Sequence, residues 1–87
     1  MGPWEALATA CTTVVDFNRQ VQLLRTITAD SEKKCKDYML RAKKLSKALK
    51  ARKREVPWQY LCREIMCCAE HGHSPDKVLN TMEKWFL

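Results

Sequence analysis

The sequence predicts an all-α protein, and three observations carry that prediction. Glycine occurs twice, at Gly2 and Gly72, and proline three times, at Pro3, Pro57 and Pro75. A β-sandwich needs a turn signal every ~8–12 residues, so the supply of breakers is too small for one. Between Pro3 and Pro57 neither residue occurs, and apolar side chains recur there in alternating steps of three and four. The register runs Leu7, Ala10, Val14, Phe17, Val21, Leu24, Thr28, Ser31, Cys35, Tyr38, Ala42, Leu45, Leu49, Arg52, and only Thr28, Ser31 and Arg52 are polar. Such a repeat, held without a slip, is the mark of a coiled-coil seam.

Two structures of residues 3–55 satisfy this pattern. One is a continuous helix, about 75 Å long if some 50 residues rise 1.5 Å each. The other is a hairpin broken near 28–31, where Thr28, Asp30 and Ser31 offer hydroxyl and carboxylate caps. The unbroken phase favours the continuous helix, because a loop is free to reset it. The absence of glycine between Thr28 and Ser31 points the same way, since helices commonly end on a left-handed glycine. A lone long helix cannot bury its own seam, so it requires a partner. Leu7, Val14, Phe17, Val21, Leu24, Tyr38, Leu45 and Leu49 are then the self-association or partner residues.

Residues 57–87 read as a helix-turn-helix knob. Pro57 turns Val56 away from helix and suits a first helical position. Trp58, Leu61, Cys62, Ile65, Cys68 and Ala69 line one face of a helix ending near Gly72. Ser74 follows as an N-cap, Pro75 as first helical residue, and Asp76 complements the helix dipole. Val78, Leu79, Met82, Trp85 and Phe86 form the stripe of a last helix, and Trp58, Trp85 and Phe86 are expected to pack together. The whole chain, 1–87, is expected to be a single helical interaction domain.

Charge is concentrated in one segment. The chain has 16 Lys+Arg against 10 Asp+Glu, a formal net charge of +6. Residues 33–54 alone hold eleven of the basic side chains against the single acid Asp37. Helical spacing leaves a cationic stripe opposite the seam, with Lys36, Lys43, Lys44, Lys47, Lys50 and Arg54 on it, and these together with Arg52 and Lys53 of the basic run are candidates to bind a polyanion or an acidic partner. Asn and Gln are missing from it, and only Ser46 stands where it could read base edges, so any nucleic-acid binding is expected to ignore sequence. The run from Lys50 to Arg54 also resembles a nuclear-import signal.

Catalytic and metal signatures are sparse. HExxH, GxSxG, CxxC and Gly-rich phosphate loops are all absent. Tyr60, Glu64, Cys67 and His71, spaced four, three and four, share the face of the third helix opposite Trp58 and Ile65. Cys67 and His71 would be two zinc ligands at most, and the paired knuckle spacing of zinc modules is missing, so no metal or other cofactor is expected. The four residues read instead as a second interface. Ser74-Pro75-Asp76-Lys77 also matches a proline-directed phosphoacceptor, a reading that competes with the N-cap.

The amino-terminal stretch has no basic n-region and carries Glu5, unlike a secretory signal, and no apolar run approaches the ~18 residues of a membrane span. Five cysteines without such a signal are expected to be free thiols in an intracellular protein, nuclear more than cytoplasmic. The function expected is a non-enzymatic helical interaction or assembly module with no small-molecule substrate and no membrane contact. It would pair through its seam with itself, as a homodimer, or with another helical protein. The alternative is a nucleic-acid-binding protein that uses the cationic face of residues 33–54.

Overall fold

The computed structural model describes residues 14–87, with the side chains described from Asp16 onward. Among the described residues four helices follow one another: α1, Val14–Thr28; α2, Glu32–Ala51; α3, Trp58–Glu70; and α4, Pro75–Phe86. α2 and α3 form the centre, each packing against the other and against both α1 and α4. The assembly measures 35 × 29 × 21 Å, less than half the length of the continuous helix that phase alone favours.

That expectation is corrected at residues 29–31. Ala29 takes the left-handed conformation at φ +60°, and the chain reverses there without a glycine. The Thr28 hydroxyl donates to the Leu24 carbonyl at 2.8 Å and accepts the Asp30 N–H at 3.2 Å. Ser31 caps α2, its side-chain oxygen accepting the Lys34 N–H at 3.2 Å. Across the turn the Gln22 side chain donates to Glu32 at 3.3 Å. The three-residue turn keeps the heptad phase, so both arms present their seam residues to one another and to α3. Unbroken phase therefore does not distinguish a rod from a hairpin whose turn has the right length.

Among the described residues the apolar seam is consumed in a core within one chain. Val21, Leu24, Cys35, Tyr38, Ala42, Leu45 and Leu49 are buried, together with Met39 from beside the seam. Trp58, Leu61, Cys62 and Ile65 enter from α3 and Leu79 from α4. Phe17 is half-buried and meets Trp58 with ring centroids 6.1 Å apart. Leu7 and the Val14 side chain lie outside the described residues.

α2 and α3 end alike. After α2 the Lys53 N–H bonds to Lys50 O at 2.9 Å and Arg54 N–H to Leu49 O at 2.9 Å; after α3 the Gly72 N–H bonds to Ala69 O at 3.0 Å and His73 N–H to Cys68 O at 3.0 Å. Both are Schellman endings, in which a left-handed residue lets the chain satisfy the last carbonyls of the helix. Lys53 holds the left-handed position at φ +61° and Gly72 at φ +87°.

Three details of the terminal knob are corrected. Pro57 is the N-cap of α3 rather than its first helical residue. Ser74 stands at the N-cap of α4 and Pro75 at its start, but the Ser74 side chain makes no capping bond. Trp85 is 76% exposed, so the aromatic cluster does not form as expected; Trp58 packs on Phe17 instead. The physical reason is angular: Leu79 faces the core, and 100° per residue carries Trp85 well off that line while Phe86 stays near it.

Candidate functional site

The cationic segment folds as α2 and the turn after it. Positions 33, 36, 40, 44 and 47 share the helix face turned from the core, because the buried set 35, 38, 42, 45 and 49 occupies the other. Lys33, Lys36, Lys44 and Lys47 are exposed there, and Lys34, Lys50, Arg52, Lys53 and Arg54 are exposed beside them. Lys33 to Lys47 spans about 21 Å of helix axis, comparable to about six base steps of duplex. Lys50 and the basic residues that follow stand at the carboxyl end of α2, where the helix dipole favours positive charge. Lys36 lies 3.9 Å from Glu32, an exposed pair that fixes little.

Two of the expected binding residues are engaged elsewhere. The Lys43 ammonium sits 5.0 Å from the Phe17 ring centroid and 5.1 Å from that of Trp58, so it caps an aromatic pair between α1 and α3. The Arg54 guanidinium lies 5.9 Å from the Phe86 ring. Ser46 is likewise unavailable for base edges, its hydroxyl donating to the Val56 carbonyl at 2.5 Å.

Arg41, which the periodic pattern leaves beside the seam, ties α2 to α4. Its guanidinium donates to Asp76 at 2.7 Å, to Asn80 at 2.8 Å, and to Glu83. Desolvation pulls this guanidinium down, but the hydrogen bonds to Glu83 and Asp76 outweigh it and hold Arg41 above its ordinary value. The contact joins residues some forty positions apart, so no local spacing reveals it. A shallow groove runs from the outer face of α2 to the start of α4, and its charge is mixed: Lys34, Arg41 and Lys44 line it together with Asp37 and Asp76.

Tyr60, Glu64, Cys67 and His71 are all exposed along α3 and share its outward face. They do not form a Cys–His pair: the His71 Nδ1–H donates to the Cys67 backbone carbonyl at 2.8 Å. Among the described residues no group of three or more His, Cys, Asp or Glu is arranged to hold a metal ion. Burial pushes the Cys62 thiol up to about 12, and burial likewise raises Cys35. The Cys62 sulfur lies 3.2 Å from the Met39 sulfur, inside the core.

Sequence reasoning missed four exposed apolar side chains, Leu23, Leu40, Trp85 and Leu87. Leu40 is 53% exposed within the cationic face, and Trp85 stands out from α4. Leu40 lies off the heptad and could have been read as outward from spacing alone, whereas Trp85 falls among residues that alternate between core and rim. No described helix is long and apolar enough to cross a membrane. The chain matches no family model, and neither curated proteins nor solved structures show a significant match to it.

Proposed function

We infer that the chain is a non-enzymatic helical binding module that grips a polyanion, the phosphate backbone of nucleic acid, with the outer face of α2 and the basic turn after it. One observation carries this reading: the described seam, from Phe17 to Leu49, is filled by the chain's own helices, while the most concentrated charge stays exposed on one helix. Each phosphate neutralised by Lys or Arg releases condensed counterions, so such a face binds duplexes without regard to sequence. With Ser46 occupied, direct base readout has no candidate on this face. A nuclear or cytoplasmic setting fits this chemistry.

The test uses Lys44, Lys47 and Lys50, because Lys43 supports the Phe17–Trp58 pair and its reversal would disturb packing. Unrelated duplexes should bind alike at ~50 mM salt, with a logarithmic salt slope of about 0.9 per phosphate contact. Replacing the three lysines with Glu should lower affinity for every duplex and flatten the slope while helicity persists. No binding by the wild-type chain at ~50 mM salt overturns the reading.

A second reading, pairing with another helical protein, is favoured by Trp85 and Leu40, since exposed large apolar side chains are the usual anchors of protein interfaces. It predicts a partner whose binding Trp85→Ala abolishes and the lysine reversals spare.

A further inference from the structure

We propose that the α1–α2 turn is a hinge, and that the chain forms a dimer by exchanging α1 with a second copy of itself. The proposal rests on the hinge and not on the cationic face, so it stands apart from the polyanion reading. Three observations converge on residues 29–31. The heptad register passes through them without a slip, from Val21 and Leu24 by way of Thr28 and Ser31 to Cys35 and Tyr38. The turn is three residues long and free of glycine and proline, so nothing in it forbids helix. Its reversal depends on Ala29 at φ +60°, a conformation that penalises a Cβ, whereas alanine is the best helix former of all.

If residues 29–31 become helical, α1 and α2 join into one helix over 14–51, about 57 Å long at 1.5 Å per residue. Its seam stays on one face throughout. Val21 and Leu24 then lose their own α2 and α3, and only another copy offers the same surfaces. In the hairpin α1 runs antiparallel to α2, so two opened chains lie antiparallel, α1 of each on α2 and α3 of the other. The core contacts are the native ones, and the new contact is at the two-fold axis, where the Thr28 and Ser31 layers of both copies meet. Thr28 tolerates this, because its hydroxyl already bonds to the Leu24 carbonyl at 2.8 Å, within its own helix. Opening relieves Ala29 and loses the Ser31 cap on Lys34. Short hinges under strain favour such exchange.

The experiment measures the mass of the whole chain by sedimentation from ~1 µM to ~1 mM, after refolding at the upper concentration. The wild-type chain should populate a dimer of unchanged helicity alongside the 10.2 kDa monomer. Ala29→Gly, which suits the left-handed turn and weakens the helix, should raise the dimer dissociation constant at least about tenfold. Ser31→Ala, which removes the cap of the closed turn, should lower it. Inserting two glycines after Asp30 relaxes the turn and breaks the heptad phase, so that variant should stay monomeric with its helicity intact. Single-chain mass for both the wild type and Ser31→Ala at ~1 mM overturns the proposal. So does a dimer that survives the insertion unchanged, since that dimer must use another surface.

Discussion

Among the described residues three left-handed positions follow helices, and two of them contrast: Gly72 at φ +87° after α3 and Ala29 at φ +60° after α1. Around Gly72 the sequence announces the turn, with Ser74 at the next N-cap position and Pro75 at the next helix start. Around Ala29 the announcement is weaker, two polar residues in a seam, Thr28 and Ser31, and the carboxylate of Asp30 between them. The difference teaches that glycine at such a position is a local preference and not a requirement. A left-handed alanine costs roughly 1–2 kcal/mol. Burying a single large apolar side chain recovers roughly 1.5–3 kcal/mol. The hairpin buries Val21, Leu24, Cys35 and Tyr38 in one step, so tertiary packing outweighs the local penalty.

The comparison breaks most visibly in the core. Leu24, on the arm held by the Ala29 turn, and Leu79, on the helix after the Gly72 turn, are both fully buried. Leu24→Ala and Leu79→Ala should each cost about 2–5 kcal/mol in denaturant unfolding. Trp85→Ala should change stability by no more than about 0.5 kcal/mol, because that side chain is exposed. A Trp85 cost as large as either leucine's would mean that α4 is rotated relative to the structure.

Alkaline pH should sharpen the contrast between inner and outer thiols. Burial lifts Cys62 from 9.0 to about 12 in the folded protein, while the unfolded chain keeps the ordinary value. As pH rises past 9.0 the unfolded chain loses this proton first, which favours unfolding. The Cys62 contribution is therefore complete below the unfolded value and is lost toward the folded one, at up to about 1.4 kcal/mol per pH unit. Cys62→Val should flatten the fall in stability above pH ~9, as read from urea melts across a pH series.

The smallest effects probe the left-handed positions themselves. Ala29→Gly and Lys53→Gly should each stabilise the monomer by about 0.5–1 kcal/mol, measured below the concentration at which the chains associate. Gly72→Ala should destabilise by about 1 kcal/mol, and the cost is all backbone, because a Cβ there would meet nothing within 4 Å. Equal and opposite shifts at Ala29 and Gly72 would show that the two turns differ only in the residue. A null effect at Ala29 would show that the turn differs in conformation.

Much of the fold is legible because it rests on periodicity. The seam positions Val21, Leu24, Cys35, Tyr38, Ala42, Leu45 and Leu49 can be read as buried from spacing alone, and so can Trp58, Leu61, Cys62 and Ile65 on α3. Exposure of Lys36, Lys44, Lys47 and Lys50 follows from the same angles. Less legible are the side chains whose fate depends on a distant neighbour. Lys43 is drawn to Phe17 and Trp58, Ser46 to the Val56 carbonyl, and Arg41 to three residues of α4. All three partnerships cross from one helix to another element, and nothing near them in sequence signals the match.

The sequence by itself determined that this protein is helical, where its apolar stripes run, and that its positive charge gathers on residues 33–54. These follow from composition and from a period of 3.5 to 3.6 residues, which any sufficiently long helix must express. The tertiary structure alone decided what the seam packs against. A heptad stripe is indifferent to whether its complement comes from the same chain or another, since burial rewards both alike. Here one left-handed alanine, about a kilocalorie of backbone strain, lets the chain answer its own seam and leaves the cationic face turned outward.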